Sequence, residues 1–225
     1  MEALIVEVRA GEGGADAKLL VEKQLMIYLR YARRLELECE LLRQEPGQVS
    51  LRVSGRGAWR AFEHEPGGHR WQRVPPTEKR GRVHSSTVTV AVLREVARRE
   101  HVIPSSEVKF ETYRASGPGG QHRNTSDTAV RATHLPSGIQ ACAETKSQQR
   151  NKELALGVLR TRVAQRAEGA ARAERNSRRQ EQVGSGMRAD KIRTVAEQRG
   201  RVENHLTGRR IPLKDYERGN LAALL

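Results

Sequence analysis

Cysteine is nearly absent: the 225 residues hold two, Cys39 and Cys142, too few and too widely separated for a disulfide framework. Each lies in an alternating apolar segment and reads as a buried, reduced thiol. The seven histidines, at positions 64, 69, 84, 101, 122, 134 and 205, show no Cys/His ligand spacing, so neither a structural zinc site nor a cofactor is expected. Uninterrupted apolar runs long enough to cross a bilayer are missing, which argues against a membrane-spanning helix. The first residues also lack the basic-then-apolar order of a secretory leader, so a cytoplasmic protein is expected.

Acidic residues are in short supply as well. Against 41 Lys and Arg stand 27 Asp and Glu, a formal charge of +14. The excess is uneven: residues 1–50 hold 7 basic and 9 acidic side chains, residues 51–104 hold 11 and 5, and residues 105–225 hold 23 and 13. Such a profile is the footprint of a polyanion binder, with solubility alone or an anionic membrane surface as the other readings that composition leaves open. The length suits two modest domains.

Residues 4–9 alternate apolar and polar as a half-buried strand does, and Gly11, Gly13 and Gly14 then break the pattern. Val21, Leu25, Tyr28, Leu29, Ala32 and Leu35 recur at helical spacing behind Asp16, whose carboxylate suits the positive end of a helix. Alternation at period two returns at residues 35–41, at 49–53 after the Pro46-Gly47 turn, and at 88–92. These elements predict an α+β sandwich. Between residues 62 and 86 glycine, proline and charge are too dense for a core element, so long exposed loops with a functional role are expected there.

A domain boundary is expected near Pro104. Beyond it the pattern predicts strands at 107–114, 127–134 and 138–144, a Gly-rich loop at 116–121, and a helix over 147–182 whose buried stripe is Ala155, Leu159 and Val163. That helix segment carries ten Lys or Arg against four Glu between residues 146 and 182, a surface suited to solvent or to RNA phosphate. Residues 184–200 read as a hinge or loop, and 201–225 as a short C-terminal segment that packs back on the first domain.

The densest unusual segment is Arg114-Ala115-Ser116-Gly117-Pro118-Gly119-Gly120-Gln121. Gly119 and Gly120 allow the main chain to approach a ligand without side-chain hindrance. Gln121 does not titrate, but it can orient a water, and its backbone N–H can stabilise a developing negative charge, worth about 2.7–4 kcal/mol for one well-placed donor. Acid or base work by a titrating group would fall to a histidine or carboxylate, and only His122 is adjacent. The loop suits ester hydrolysis in a site built mostly by another molecule. Phosphate cradling is the rival, yet a Walker-type lysine followed by Ser or Thr is missing, which disfavours use of a nucleoside triphosphate.

The segment RASGPGGQHRNTSDTAVRATHLPSGIQACAETKSQQRNKELAL resembles the catalytic domain of class I bacterial peptide chain release factors. VEVRAGEGGADAKLL, GGHRWQRVPPTEKRGRVHSSTVTVAVL and GSGMRADKIRT resemble the codon-reading domain and switch region of that family, nearest to the type that reads UAA and UAG. The resemblance implies a codon-reading α/β sandwich over 1–104, a small catalytic domain with a mixed sheet and a long basic helix over 105–183, and a switch over 184–200. It implies that Gly119, Gly120 and Gln121 enter the peptidyl transferase centre of the ribosome and promote hydrolysis of the peptidyl-tRNA ester, with Gln121 a candidate for N5-methylation by a glutamine methyltransferase. Pro75-Pro76-Thr77 occupies the position of the Pro-x-Thr motif, with Thr77 hydrogen-bonding bases, His84 stacking on one, and Gln72, Arg73 and Ser85 flanking the pocket. Gly13 and Asp16 match the place where the family reads the first uridine. The implied partners are ribosomal RNA, the messenger stop codon and the P-site peptidyl-tRNA, bound by a monomer.

The sequence also departs from the family. Asp16 stands where glutamate is usual, shortening the reach by one methylene, and Ser85 where threonine is usual, so weaker base contacts are expected there. The family's N-terminal helical domain has no counterpart before Met1. After Thr194 the text VAEQRGRVENH lacks the aromatic and proline of the usual switch, which predicts looser coupling between codon recognition and catalysis. A codon-independent rescue hydrolase and a non-hydrolytic occupant of the ribosomal A site are therefore the competing expectations.

Overall fold

The computed structural model describes residues 2–95, 103–115 and 126–225. In chain order the elements are β1 (Ala3–Ala10), α1 (Gly14–Arg34), β2 (Glu38–Glu45), β3 (Gln48–Ser54), α2 (Ala58–Phe62), β4 (Gly67–Arg73) and β5 (His84–Arg94). There follow β6 (Val108–Tyr113), β7 (Ala129–His134), β8 (Gln140–Ala143), α3 (Gln148–Val183), β9 (Arg193–Ala196), β10 (Arg201–Asn204), β11 (Arg210–Pro212) and α4 (Leu213–Glu217). The chain divides into one unit of Met1–Val96 with Arg175–Leu225 and a second of Ala97–Glu174. The first unit is thus left ahead of Pro104 and rejoined within α3.

The first unit is built on an eight-stranded sheet in the order β11-β10-β9-β4-β5-β1-β3-β2. Only β4 and β9 pair in parallel; the other pairings are antiparallel. Alternation in β1, β3 and β5 sends Leu4, Val6, Val8, Val49, Leu51, Val53, Val88, Val90 and Val92 into one core with Leu20, Val21, Ile27 and Tyr28 of α1. Each such side chain contributes about 1.5–3 kcal/mol by leaving water, so the period-two and helical patterns of the sequence are realised together.

Three expectations are corrected. Residues 62–86 are not all loop, because β4 lies inside the sheet between β5 and β9 with His69 and Trp71 fully buried. Its glycines serve close packing rather than a turn: a Cβ on Gly68 would stand 2.3 Å from the Asp190 carbonyl oxygen. Residues 184–200 are likewise not simply a hinge, since they contain β9, which that close approach brings beside β4. Cys39 and Cys142 are exposed rather than buried. β2 is an edge strand with every residue exposed, because α1 covers the strands further in.

One buried polar network joins the half of the sheet at β4 and β9 to α1 and α4. Arg193 and Glu65, at 0% and 1% side-chain exposure, make a two-pronged pair at 2.6 and 2.8 Å. The Tyr28 hydroxyl donates to Glu65 Oε2 at 2.9 Å, His69 Nε2 lies 3.0 Å from the Glu65 carbonyl oxygen, and Gln24 Nε2 donates to the Tyr216 hydroxyl at 3.0 Å. Arg193 also stands over the Tyr216 ring, 5.5 Å from its centroid.

The end of α3 covers the other face of this sheet. Arg179 makes a two-pronged pair with Glu7 of β1, both contacts at 2.6 Å. Gln182 accepts from the Val92 N–H at 2.8 Å and donates to the Val92 carbonyl at 2.9 Å. β4 has already stopped there, its register on β5 running only from Gly67↔Val90 to Arg73↔His84, so the glutamine amide satisfies backbone groups that would otherwise lack a strand.

In the second unit β6, β7 and β8 form a three-stranded sheet that is antiparallel throughout, not mixed. Ala155, Leu159 and Val163 of α3 pack with Ile103, Val130, Ala132 and Ala141. Buried Asn151 donates to the Thr128 and Thr145 carbonyls at 2.8 and 2.9 Å and accepts from the Thr145 N–H at 2.7 Å, which fixes the first turn of the helix to the sheet.

Burial, aided by the Arg193 charge, depresses the His69 imidazole from its ordinary 6.5 to about 4. Between those values the unfolded chain binds a proton that the folded chain refuses, so stability falls as pH is lowered through the window, by about 3 kcal/mol when complete. Burial pushes the Glu65 carboxyl up, but the charge and hydrogen bonds of Arg193 outweigh it and hold the group below the usual carboxylate range, so Glu65 adds its loss at lower pH. Urea titrations across the window are expected to show this slope, and His69→Gln to flatten it; His205, lowered by burial, accounts for the part that remains. An equal slope in the variant would show that His69 is not the group responsible.

Candidate functional site

The site candidates of the first unit converge on one end of the sheet, where α1 begins, β4 ends and β5 begins. The approach of α1 to β5 depends on glycine. Gly13 has φ +135° and Gly14 φ +61°, and a Cβ on Gly13 would stand 2.6 Å from the Ser86 Cβ. The Gly11 N–H donates to the Thr87 carbonyl at 2.8 Å and the Thr87 N–H to the Glu12 carbonyl at 2.7 Å, strapping the loop onto β5. The main chain of residues 11–14 is thereby held close against the strand that carries His84 and Ser85.

Asp16 is 4% exposed. Arg73 donates to its Oδ1 from Nε at 3.1 Å and from Nη2 at 2.6 Å, while Oδ2 is buried without a hydrogen-bond partner. The carboxylate therefore locks the start of α1 to the end of β4 instead of projecting into solvent. Arg73 further approaches Glu197 at 3.9 Å, and Lys23 bridges Glu197 and Glu217 at 2.7 and 2.9 Å.

Strand parity separates the remaining residues. Gln72 pairs with Ser85 and Arg73 with His84 across β4 and β5. Arg73 points to the α1 side, where it meets Asp16, so Gln72 and Ser85 share the opposite face. Pro75 is buried, whereas Pro76, Thr77 and His84 are exposed on the loop that follows β4 and at the first residue of β5.

Glu78 organises that loop and was not singled out by the sequence reading. Its carboxylate accepts from the Arg80 N–H at 2.7 Å and from Arg82 Nε and Nη2 at 3.1 and 2.9 Å, and stands 2.8 Å from His84 Nε2. The Glu78 N–H in turn donates to the Pro75 carbonyl at 3.0 Å. The Arg80 N–H, then Arg82 and His84, hold the Glu78 carboxyl below its ordinary range. A lone acid amid Lys79, Arg80 and Arg82 was the available signal. Its effect is to present an exposed imidazole and a threonine from a braced loop.

Gly119, Gly120 and Gln121 lie outside the described residues, in the chain between β6 and β7. Among the described residues no group of three or more His, Cys, Asp or Glu side chains is placed to hold a metal ion, and no helix is long and apolar enough to cross a membrane.

Replacing Glu78 by Ala removes the anchor without touching the core. The expected outcome is that amide exchange across residues 78–84 accelerates about tenfold or more while the unfolding midpoint of the first unit holds; exchange unchanged from the parent would mean the loop is braced by something else.

Comparison with known proteins covers both units. Residues 1–90 match the family model of the PCRF domain and residues 97–206 that of the RF-1 domain. Over 209 residues, 90% of this chain, it is 41% identical to peptide chain release factor 1 of Brachyspira hyodysenteriae, covering 58% of that protein. Over 207 residues, 89% of this chain, it is 44% identical to peptide chain release factor 1 of Dinoroseobacter shibae, covering 59% of it. The chain thus spans under two thirds of the length of these relatives. A solved structure described as RF2 of Thermus thermophilus aligns over 99% of this chain and 66% of its own, at 33% identity and a TM-score of 0.58. With both domain types matched in order and such relatives across about nine tenths of its length, the chain belongs to the class I bacterial peptide chain release factor family.

Proposed function

We propose that this protein reads UAA and UAG stop codons in the ribosomal A site and promotes hydrolysis of the peptidyl-tRNA ester there. The observation that carries this reading is the braced loop: Glu78 holds His84 while Pro75 and Pro76 stiffen the approach to exposed Thr77. Single-stranded RNA is recognised through stacking and base-edge hydrogen bonds, which require such side chains to be held ready before the RNA arrives. His84 stacks on one base and Thr77 bonds base edges. Gln72 and Ser85, on the far face of the sheet, meet a base that has left that stack.

The first uridine is read by the main chain around Gly13, which close packing on Ser86 holds in place. Asp16 acts one step back, setting the helix start and Arg73. Its shorter reach than the family's usual glutamate fits this positioning role.

In the catalytic step Gly119 and Gly120 bring the backbone of Gln121 to the ester. The Gln121 N–H donates to the oxyanion that forms as water attacks the carbonyl carbon, and its side chain orients that water. The adenosine hydroxyl leaves with a proton that RNA and solvent supply, since the tripeptide holds no titrating group. Ribosomal RNA, the stop codon and the peptidyl-tRNA are the partners. N5-methylation of Gln121 by a glutamine methyltransferase, a monomeric state and a cytoplasmic location belong to the same reading.

Peptide release measured on ribosomes programmed with UAA, UAG, UGA, sense or empty A sites tests it. Release on the first two alone is expected; equal rates on every programme would sink the codon-directed reading and favour the rescue hydrolase. His84→Ala is expected to weaken stop-codon response about tenfold to a hundredfold, matching the roughly 1–3 kcal/mol of one stacked base. Gly120→Ala is expected to lower the release rate a hundredfold or more with ribosome binding retained, and an undiminished rate would favour an A-site occupant without hydrolysis.

A further inference from the structure

On the sheet face opposite α1, the register sets two rows side by side. Ser85, Gln72, Ala196 and Arg201 follow one another across β5, β4, β9 and β10, and Thr87, Arg70, Thr194 and Glu203 form the adjacent row. A cavity of about 90 Å³ opens over these rows, lined by Arg70, Gln72, Thr194, Ala196, Arg199, Arg201, Glu203 and His205. Three arginines therefore line one small polar hollow.

Their lack of partners is the informative feature. Glu203, the one carboxylate in the lining, is already paired with Arg210 at 2.8 Å. Among the described residues the side chains of Arg70, Arg199 and Arg201 make no ion pair or hydrogen bond, and Arg70 Nε is buried without a partner. Thr194 and His205 bond each other at 2.8 Å, and Glu203 meets Arg210 through Oε1, with the Arg201 charge acting on it from farther off. Elsewhere in this unit buried or half-buried arginines are matched: Arg73 to Asp16, Arg179 to Glu7, Arg193 to Glu65. Arginines without ion-pair partners around a mainly polar hollow suit a phosphate, whose oxygens accept several N–H bonds, better than an apolar ligand.

We infer that this hollow binds a backbone phosphate of the structured RNA that lines the codon site. The inference rests on the proposed codon-reading role in one respect, the identity of the RNA. Gln72 and Ser85 begin the very row that Arg201 ends, and Arg201 lies two strands from Gln72, about 10 Å at the usual strand spacing. Side chains that meet a codon base and side chains that clasp a phosphate would thus be fixed by one stretch of sheet. The phosphate contact carries no sequence information; it sets the register in which Gln72 and Ser85 face their base.

Arg199→Gln and Arg201→Gln, both changes at residues not sealed in the core, test this by equilibrium binding to stop-programmed ribosomes at several salt concentrations. Each is expected to weaken binding about tenfold and to reduce the slope of log affinity against log salt by about 0.7–0.9, with UAA-over-UGA preference unchanged and Lys at the same position restoring the salt slope but only part of the affinity. Unchanged affinity and slope in both variants would overturn the proposal. A photocrosslinker on Arg199→Cys, with Cys39 and Cys142 replaced by Ser, is expected to mark ribosomal RNA; labelling confined to ribosomal protein would assign the hollow to an acidic protein surface instead and would equally overturn it. Binding is read without hydrolysis, so a wild-type protein that bound ribosomes in this way but released no peptide would refute the proposed function and leave the phosphate site standing.

Discussion

Arg193 and Glu65 are both sealed from water, and neither can remain so without the other. Removing one partner of such a pair leaves an uncompensated charge in the interior, a loss of about 3–5 kcal/mol, comparable with much of a small domain's whole stability. The pair is therefore weak as a source of net stabilisation but strong as a constraint on arrangement: it admits one placement of β9 against the segment that leads into β4. Tyr28 and His69 complete the hydrogen bonding of Glu65, and Tyr216 closes the far side of Arg193. A late segment of the chain is thereby fixed to an early one.

That constraint reaches the end of the sheet where α1 begins through short covalent steps. β9 sits beside β4 in parallel register from His69↔Arg193 to Gln72↔Ala196, and β4 runs directly into Arg73 and the Pro75-Pro76-Thr77 loop. Arg73 then fastens α1 through Asp16, and the glycines of residues 11–14 fasten the same helix to β5. The braced loop with its exposed imidazole stands on this frame. Charged groups occur throughout the frame, yet the ones in its interior face each other, while those left over gather on the outer sheet face.

Much of this was legible in the sequence. Alternation disclosed β1, β3 and β5, helical spacing disclosed α1 and the stripe of α3, and the candidate residues that the fold gathers at one end of the sheet were nameable one by one. β4 was hidden because its glycines, histidine and arginines look like loop material; their meaning depends on Asp190 and Asp16, which are distant in the chain, and on the Glu65 carbonyl just ahead of the strand. β9 was hidden for the same reason, since it is four residues long and contains an arginine whose partner lies 128 positions away. Cys39 misled in the opposite sense, as alternation in β2 marks pairing and not burial. The role of Glu78 depended on a loop geometry that no periodicity encodes.

Gln182 completes the picture of how this sheet is finished. Its side-chain amide grips the N–H and carbonyl of Val92 where β4 has ended, taking the place of a strand residue with a single side chain. A bare stretch of strand at that point would be a template for another chain's backbone. The two hydrogen bonds that seat the end of the long helix therefore also cover a potential aggregation edge, so a substitution that looks like a modest loss of helix packing would surface first as poor solubility.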